Sequence, residues 1–140
     1  MRAVREAGFD IVPIPGASAS VTLISASGLS GKTFTFEGFL SPKSGKRKNR
    51  LKELLEREEA FIIYESPFRI LKTLGELKEL DDTRRLVLGR EMTKAFEQFL
   101  FGTPSEVISQ LSVVKGEFAL VVLPPSKTDA AEDSDSEDEE

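Results

Sequence analysis

Ala60-Phe61-Ile62-Ile63 is an apolar run that leads into the polar stretch Tyr64-Glu65-Ser66-Pro67-Phe68-Arg69. A second apolar run leads into Arg90-Glu91-Met92-Thr93-Lys94-Ala95-Phe96-Glu97. Short apolar runs bounded by turn residues are typical of buried strands, and open α/β sheets bind their ligands at strand ends. Two charged clusters in such positions therefore indicate a functional site rather than an ordinary solvated surface.

The segments around these runs alternate between strand and helix patterns. Strands are predicted at 10–14, 34–40, 60–64, 85–90, 96–101 and 118–123. Helical patterns are found at 2–7, 17–26 and 46–58, after Ser66, and from Thr103 to Leu111. The strands at 85–90 and 96–101 are close enough in sequence to form an antiparallel pair. This alternation predicts an α/β fold with a mixed parallel and antiparallel sheet flanked by helices.

Local capping signals predict where several helices begin and end. Ser66 followed by Pro67 predicts an N-cap and a first helical residue, and Thr103-Pro104-Ser105-Glu106 predicts a capping box. Gly8 and Gly28 are predicted to end the first two helices, because glycine readily adopts the left-handed conformation that closes a helix. In the helix after Ser66, the stripe facing the core would consist of Phe68, Leu71, Leu74 and Leu77.

The composition excludes several kinds of site. The 140 residues include no cysteine and no histidine, which rules out disulfides, thiol nucleophiles, Ser-His-Asp triads and the usual zinc ligands. Catalysis must rely on carboxylates, Lys, Arg, Ser, Thr, the single Tyr64 or a cofactor, and no metal is expected. No stretch approaches the roughly 20 apolar residues of a membrane span, and no signal-peptide pattern opens the chain. We expect a cytoplasmic protein with no membrane partner.

The formal charge of −5 is unevenly distributed along the chain. Residues 129–140 contain eight acidic side chains and no basic one, and without those eight the charge would be +3. Six basic residues and no acidic one fall between Lys43 and Lys52. We therefore predict a mildly basic folded domain at 1–125 and a disordered acidic tail at 126–140.

The charged clusters also have purely structural interpretations. Glu65 and Arg69 would form an ion pair at a helix entry, and the cluster from Arg90 to Glu97 would form an ion-pair network around a hairpin. A functional interpretation is favoured, because charges crowded at the ends of buried strands are costly unless they pair or serve a ligand.

The basic run from Lys43 to Lys52 would, in the structural interpretation, be a solvated helix face. Lys43 and Lys46, however, flank Gly45 in a loop that follows Ser41-Pro42. Such a loop is well placed to contact phosphates, which supply affinity for nucleic acid independently of its sequence.

Five motifs occur in the order that one protein family shows. They are Pro13-Ile14-Pro15-Gly16-Ala17-Ser18-Ala19, Phe36-Glu37-Gly38-Phe39-Leu40 with Lys43 and Arg47, Tyr64-Glu65-Ser66-Pro67 with Arg69, Arg90-Glu91-Met92-Thr93-Lys94 with Glu97, and Lys115-Gly116-Glu117. On these motifs, which span about Val12 to Leu123, the chain resembles the C-terminal half of the ribosomal RNA small subunit methyltransferase I family. That family lies within the tetrapyrrole-methylase-like superfamily of class III methyltransferases.

The resemblance implies methyl transfer from S-adenosylmethionine to the ribose 2′-hydroxyl of a cytidine in the decoding region of small-subunit ribosomal RNA. The cofactor would be contacted by Pro15, Gly16, Ala17, Ser18, Ala19, Gly116, Glu117, Phe118 and Ala119. The RNA would be contacted by Lys43, Lys46, Arg47, Tyr64, Arg69 and Arg90. The hydroxyl must lose a proton to a carboxylate or to a lysine of depressed pKa. The candidates are Glu65, Glu91, Lys94 and Glu97, and the sequence does not choose among them.

The resemblance also implies partners, and it leaves alternatives open. The family's N-terminal domain, with its first strand and glycine-rich loop, has no counterpart in the sequence, so about half of the expected cofactor pocket would be missing. The expected partners are ribosomal RNA or the small ribosomal subunit, together with a second copy in a homodimer or a separate N-terminal domain. One alternative is a non-catalytic RNA-binding remnant. Another is a methylase of small tetrapyrrole-like molecules, against which the basic loop argues.

Overall fold

The computed structural model describes residues 1–29 and 33–125. The acidic tail predicted at 126–140 lies outside the described residues. The elements, in chain order, are α1 (Arg2–Glu6), α2 (Ala19–Ser27), β1 (Phe34–Phe39), α3 (Ser44–Glu56), β2 (Ala60–Glu65), α4 (Ile70–Asp81), β3 (Leu86–Arg90), β4 (Gln98–Gly102), α5 (Pro104–Gln110) and β5 (Phe118–Val122). None of the helices within residues 1–29 and 33–125 has the length and apolar character of a membrane span.

The strands form one sheet in the order β1-β2-β5-β3-β4. β1 and β2 run parallel, whereas the other neighbouring pairs are antiparallel. A parallel pair needs a crossover connection, and α3 supplies it. β3 and β4 form the antiparallel pair that the sequence predicted, with Leu88 opposite Leu100. The predicted mixed sheet flanked by helices is confirmed.

The two faces of the sheet are covered unequally. On one face, α3, α4 and α5 build a large core that includes Leu51, Leu74 and Val107. On the other face, among the described residues, α2 is the helix that covers the sheet, and its Leu23 is completely buried. Burying a leucine side chain stabilises a fold by about 1.5–3 kcal/mol. Leu23 therefore holds α2 against β3 and β5.

The strand predicted at 10–14 is absent. Residues 10–14 have no regular secondary structure, and Ile14 is 89% exposed. The alternation of apolar residues suggested a strand, but a strand is stable only beside a partner. Among the described residues, nothing pairs with this segment. The short helix before it is formed as α1, and Gly8 follows it with the left-handed φ of 79° expected of a terminating glycine.

The helix after β2 begins later than the sequence predicted. α4 starts at Ile70, and Ser66 does not cap it; instead the Ser66 carbonyl accepts hydrogen bonds from the N–H groups of Arg69 and Ile70 in a preceding turn. As a result Phe68 is 95% exposed and lies outside the core, contrary to the prediction. The buried stripe of α4 consists of Ile70, Leu74 and Leu77, at the i, i+4, i+7 spacing of an amphipathic helix.

Other predicted boundaries are confirmed by specific contacts. Thr103 accepts a hydrogen bond from the Glu106 N–H, while the Glu106 carboxylate accepts one from the Thr103 N–H, so the capping box is complete. Pro104 occupies the first turn of α5, as predicted. Gly28 ends α2 with a φ of 70°. α3 is shifted by two residues toward the N-terminus, because it begins at Ser44 rather than at Lys46.

Candidate functional site

A cavity of about 420 Å³ opens at one edge of the sheet. This edge contains the carboxyl ends of β1, β2 and β3 and, since β5 runs antiparallel to its neighbours, the start of β5. The lining residues are Ala19, Phe39, Tyr64, Glu65, Ser66, Pro67, Met92, Gly116, Glu117, Phe118 and Ala119. The volume is in the range of small-molecule sites, and the position is the strand-end location that the sequence predicted.

The cavity brings together only part of the predicted cofactor set. Ala19 and the four residues from Gly116 to Ala119 line it. Pro15, Gly16, Ala17 and Ser18 are exposed and do not line it. Ser18 is the N-cap residue of α2, where its hydroxyl lies 2.9 Å from that of Ser20. The contacts predicted for these four residues stay predictions.

Tyr64 connects the cavity wall to α2. Its hydroxyl accepts a hydrogen bond of 3.1 Å from the Ser20 N–H. Its ring meets the rings of Phe36 and Phe39 edge-on, with centroids 5.2 and 5.8 Å apart. Tyr64 was predicted to face RNA, and the structure places it in the wall of the cavity.

Glu65 is buried in the same wall, and both of its carboxylate oxygens have partners within the chain. Its carboxylate accepts hydrogen bonds from the Ser66 N–H at 2.8 Å and from the Thr73 hydroxyl at 2.9 Å. Nε of Arg69 lies 2.8 Å from the same carboxylate. A buried carboxylate needs such partners to offset its lost hydration. The helix-entry ion pair expected from the structural interpretation is therefore formed at the cavity.

The loop after β3 is tied to the start of β5 through Glu91. The Glu91 N–H donates to the Glu117 carbonyl at 3.0 Å, and the Glu91 carboxylate accepts from the Glu117 N–H at 2.7 Å. Lys94 Nζ lies 3.2 Å from the Glu91 carboxylate and 3.0 Å from that of Glu117. Gly116 packs directly against Glu91, since a Cβ at this position would lie 2.6 Å from Glu91 Cγ.

The same loop is further held by Arg90 and Glu97. Nε of Arg90 donates to the Lys115 carbonyl at 2.7 Å. The Glu97 carboxylate accepts from the Thr93 N–H at 2.6 Å. Glu91 and Thr93 have positive φ values of 47° and 64°, a conformation that side-chain-bearing residues adopt at a cost and that is concentrated at functional sites. All four predicted base candidates are thus hydrogen bonded within the chain.

The contacts also determine the charges of Glu91 and Lys94. Hydrogen bonds from the Glu117 N–H and then from Lys94 lower the pKa of Glu91 below its ordinary value. The carboxylates of Glu117 and Glu91 raise the pKa of Lys94. Both side chains are therefore charged at neutral pH. A lysine that accepts a proton needs a lowered pKa, so the shift of Lys94 is opposite to that requirement.

The basic run between Lys43 and Lys52 divides into two groups. Lys48 pairs with Glu79, and Arg50 pairs with Glu37 and with Glu53. Lys43 and Lys46 are exposed, and neither forms a salt bridge within residues 1–29 and 33–125. The free positive charge of the run is therefore concentrated in these two lysines.

Arg47, in contrast to these two lysines, is buried. Arg47 was predicted to contact RNA, but its side chain is only 1% exposed, so the prediction is wrong for this structure. Its Nε and Nη2 donate to the Glu76 carboxylate, both at 2.7 Å. Burial by itself would raise the pKa of Glu76, but hydrogen bonds from Arg47 and Ser44 hold it below its ordinary value.

Comparison with known proteins identifies the family. The family model for tetrapyrrole (corrin/porphyrin) methylases matches residues 1–108. The chain belongs to this family. Ribosomal RNA small subunit methyltransferase I from Neisseria meningitidis serogroup B is 43% identical over 127 residues, which are 88% of this chain and 44% of the relative. The protein of the same name from Bacillus subtilis is 41% identical over 114 residues, which are 80% of this chain and 39% of the relative.

These relatives confirm the likeness that the five motifs indicated. The chain spans less than half the length of the curated relatives it matches here. Among solved structures, the methyltransferase CobJ superposes with a TM-score of 0.62 at 18% identity, over 88% of this chain and 56% of CobJ. Uroporphyrin-III C-methyl transferase from Thermus thermophilus, complexed with S-adenosyl homocysteine, gives a TM-score of 0.54 at 15% identity, over 84% of this chain and 55% of that one. At these identities the superpositions show the tetrapyrrole methylase fold.

Sequence reasoning missed part of the cavity of this tetrapyrrole methylase chain. Phe39, Ser66, Pro67 and Met92 line it without having been assigned to the cofactor site. All four lie inside the motifs that carried the resemblance. The missed signal was their apolar or small character next to the charged residues, since small-molecule cavities are lined mainly by apolar side chains with few polar groups.

Proposed function

We propose that this chain forms the C-terminal domain of an S-adenosylmethionine-dependent methyltransferase that acts on the ribose 2′-hydroxyl of a cytidine in small-subunit ribosomal RNA. The proposal rests chiefly on the cavity, where the start of β5 meets Tyr64 to Pro67 and Met92 from the two most specific motifs. The names of the relatives support ribosomal RNA as the substrate. The exposed Lys43 and Lys46 also favour RNA over a small tetrapyrrole, which needs no phosphate-binding loop.

The cavity walls are suited to a small organic cofactor. Ala19, Gly116 and Ala119 are small and leave the backbone accessible, while Phe39 and Tyr64 provide aromatic surface. S-adenosylmethionine would be held by Ala19 and by the four residues from Gly116 to Ala119, and it supplies a methyl group already activated by its sulfonium centre. The protein then needs to position the acceptor hydroxyl in line and to take up its proton.

The proton acceptor in this proposal is a carboxylate. Lys94 is held in its charged form by two carboxylates, so its role is to fix Glu91 and Glu117 rather than to accept a proton. The candidates are Glu65, Glu91 and Glu97. The lowered pKa of Glu91 makes it a weaker base than an ordinary glutamate.

We propose that Lys43 and Lys46 hold RNA phosphates. Arg69 and Arg90 would be further cations, although Arg69 is paired with Glu65 and Arg90 donates to the Lys115 carbonyl. The chain covers 39–44% of the length of the two relatives described above. We therefore also propose that activity requires a second copy of the chain or an N-terminal domain, acting on ribosomal RNA or the small subunit.

The cofactor assignment is tested by titrating S-adenosylmethionine into the chain in a calorimeter. Ala19→Trp places a bulky side chain at the cavity and should abolish binding. Val21→Trp, on the exposed surface of α2 and away from the cavity lining, is the matched control and should bind as the wild type does. Absence of binding by the wild-type chain, both alone and mixed with the N-terminal half of a relative, would contradict the cofactor assignment.

The RNA assignment is tested by fluorescence anisotropy with a labelled hairpin from the ribosomal decoding region. If Lys43 and Lys46 contact phosphates of the unpaired hairpin loop, these two contacts contribute about −1.4 to the slope of the logarithm of the binding constant against the logarithm of the salt concentration. The Lys43→Ala/Lys46→Ala variant should weaken binding and flatten this slope, whereas Lys48→Ala should change neither, because Lys48 is paired with Glu79.

Transfer itself is measured with S-adenosylmethionine carrying a tritiated methyl group and small ribosomal subunits as substrate. Label recovered as 2′-O-methylcytidine supports the full proposal. Salt-dependent RNA binding without cofactor binding or transfer would favour the non-catalytic remnant instead.

A further inference from the structure

The loop between β1 and α3 is held by two arginines through its backbone. The carbonyls of Ser41 and Pro42 both accept hydrogen bonds from Nη1 of Arg47, at 3.2 Å each. The carbonyl of the preceding Leu40 accepts from Nη1 of Arg69 at 3.4 Å. Three consecutive carbonyls are thus bound by guanidinium groups that come from α3 and from the turn before α4.

Each guanidinium is oriented in turn by a buried carboxylate. Glu76 binds Arg47 through both of its oxygens, and it also accepts a hydrogen bond from the Ser44 hydroxyl at 2.7 Å. Glu65 lies 2.8 Å from Nε of Arg69, and its side chain is completely buried. The planar two-oxygen pairing of Arg47 with Glu76 leaves this arginine little freedom to rotate.

Stability alone is a poor explanation for a buried ion pair. Removing two charges from water is costly, and well-packed apolar side chains of similar volume are often as stabilising. An apolar pair, however, has no donors for the carbonyls of Ser41 and Pro42. The distinctive contribution of Arg47 and Glu76 is therefore the fixed position of the loop.

The fixed loop ends at Lys43 and leads directly into the helical turn that contains Lys46. Lys43 directly follows Pro42, and its carbonyl accepts the hydrogen bond from the Arg47 N–H that opens α3. Lys46 lies in the first turn of α3, adjacent to Arg47. Holding Leu40, Ser41 and Pro42 therefore determines where both ammonium groups can reach.

We infer that Arg47 and Arg69, oriented by Glu76 and Glu65, are positioning residues that clamp the β1–α3 loop and preorganise Lys43 and Lys46 for RNA phosphates. The inference rests on the proposed function for its RNA part. The clamp itself is a property of the chain without RNA, and the two parts are measured separately.

The main variant is Arg47→Met/Glu76→Leu, which removes both buried charges together and leaves the carbonyls of Ser41 and Pro42 without their donors. The matched control is Lys48→Met/Glu79→Leu, which removes an exposed ion pair between the same two helices with the same change in charge. Arg47→Lys is a second variant that keeps a positive charge opposite Glu76 but lacks the planar group that reaches both carbonyls. Thermal unfolding verifies that each variant is folded.

The first measurement is the rate of tryptic cleavage between Lys43 and Ser44 in the folded chain, followed by mass spectrometry. Loss of two hydrogen bonds of ordinary strength predicts cleavage about 10-fold faster in Arg47→Met/Glu76→Leu and in Arg47→Lys. The control should be cleaved at the wild-type rate.

The second measurement is affinity for the decoding-region hairpin by anisotropy. Ordering two long side chains at the moment of binding predicts affinity about 3- to 10-fold weaker in the clamp variants. The slope of the salt dependence should not change, because both lysines still contact phosphates once the complex forms. A merely destabilised chain would not combine weaker binding with an unchanged slope and faster cleavage at this one bond.

If Arg47→Met/Glu76→Leu and Arg47→Lys are both cleaved at the wild-type rate, the proposal that Arg47 clamps the loop is refuted. Faster cleavage with unchanged RNA affinity would overturn its link to RNA. If Lys43→Ala/Lys46→Ala binds the hairpin as tightly as the wild type, the RNA role proposed for these lysines fails, and with it the preorganisation. The cleavage result then still decides whether the clamp exists, so the two failures are distinguishable.

Discussion

Gly116 is the position where the smallest substitution should have a large and specific effect. Its φ is +95°, which side-chain-bearing residues rarely adopt, and a Cβ would lie 2.6 Å from Cγ of Glu91. In Gly116→Ala, the backbone must either remain strained or change its path at the cavity edge. The Glu91 side chain must also turn away, and it then loses the hydrogen bond from the Glu117 N–H.

The backbone strain alone gives a lower bound for the loss of stability in Gly116→Ala. A left-handed conformation costs a residue with a Cβ about 1–2 kcal/mol relative to glycine. For a domain of this size, each kcal/mol lowers the melting temperature by about 3–6 °C. Gly116→Ala should therefore melt about 3–12 °C below the wild type, and the displaced Glu91 adds to this difference.

Differential scanning calorimetry of the purified chain measures the change, with Gly75→Ala as the matched control. Gly75 lies inside α4 with a helical φ, and a Cβ there would have nothing within 4 Å. Replacing it should stabilise the chain by about 0.5–1 kcal/mol, because glycine is a poor helix former. The two Gly→Ala substitutions are therefore expected to shift the melting temperature in opposite directions. A melting temperature of Gly116→Ala equal to or above that of the wild type would refute the reasoning.

Three further outcomes are expected. Arg47→Met alone should lower the free energy of unfolding by about 3–5 kcal/mol in urea titrations, because it leaves the Glu76 carboxylate buried without its partner. The free energy of unfolding of Arg47→Met/Glu76→Leu should be much closer to that of the wild type. The hydrogen bond from Arg50 lowers the pKa of Glu37, so stability from this pair is fully present above the ordinary value of 4.5 and is lost as the pH falls through the folded-state pKa. Melting temperatures measured from pH 6 to pH 3 should thus fall less steeply in Glu37→Gln. Thr103→Ala, which removes the α5 cap, should cost about 1 kcal/mol in the same urea assay, and an unchanged midpoint would contradict the capping assignment.

The parts of the fold that the sequence predicted best are those governed by neighbouring residues. The capping box at Thr103 and the terminating Gly28 involve contacts within a few positions, and both are formed. The strand ends at the cavity were predictable for a similar reason, since the change from apolar to charged residues occurs within each motif. Sequence reasoning thus located the edge of the sheet where Glu65 and Glu91 lie.

Prediction failed where a distant partner decides the outcome. Arg47 was predicted to contact RNA together with its basic neighbours, but its partner is Glu76, which is 29 residues away. A local signal did exist, because Arg47, Leu51 and Leu54 follow the i, i+4, i+7 spacing that places all three on the buried face of α3. Phe68 shows the converse, since its apolar character suggested a core position that the turn before α4 does not allow.

The central strand of the sheet is also the last strand along the described chain. β5 lies between β2 and β3 and pairs with both. Until residues 118–122 have been synthesised, the nascent chain can form only two separate strand pairs, β1 with β2 and β3 with β4. Each pair then exposes an inner edge whose backbone groups lack partners, and such edges promote aggregation. Completion of the sheet must therefore wait for residues 118–122, so that these five strands fold as a unit and not progressively from the first strand.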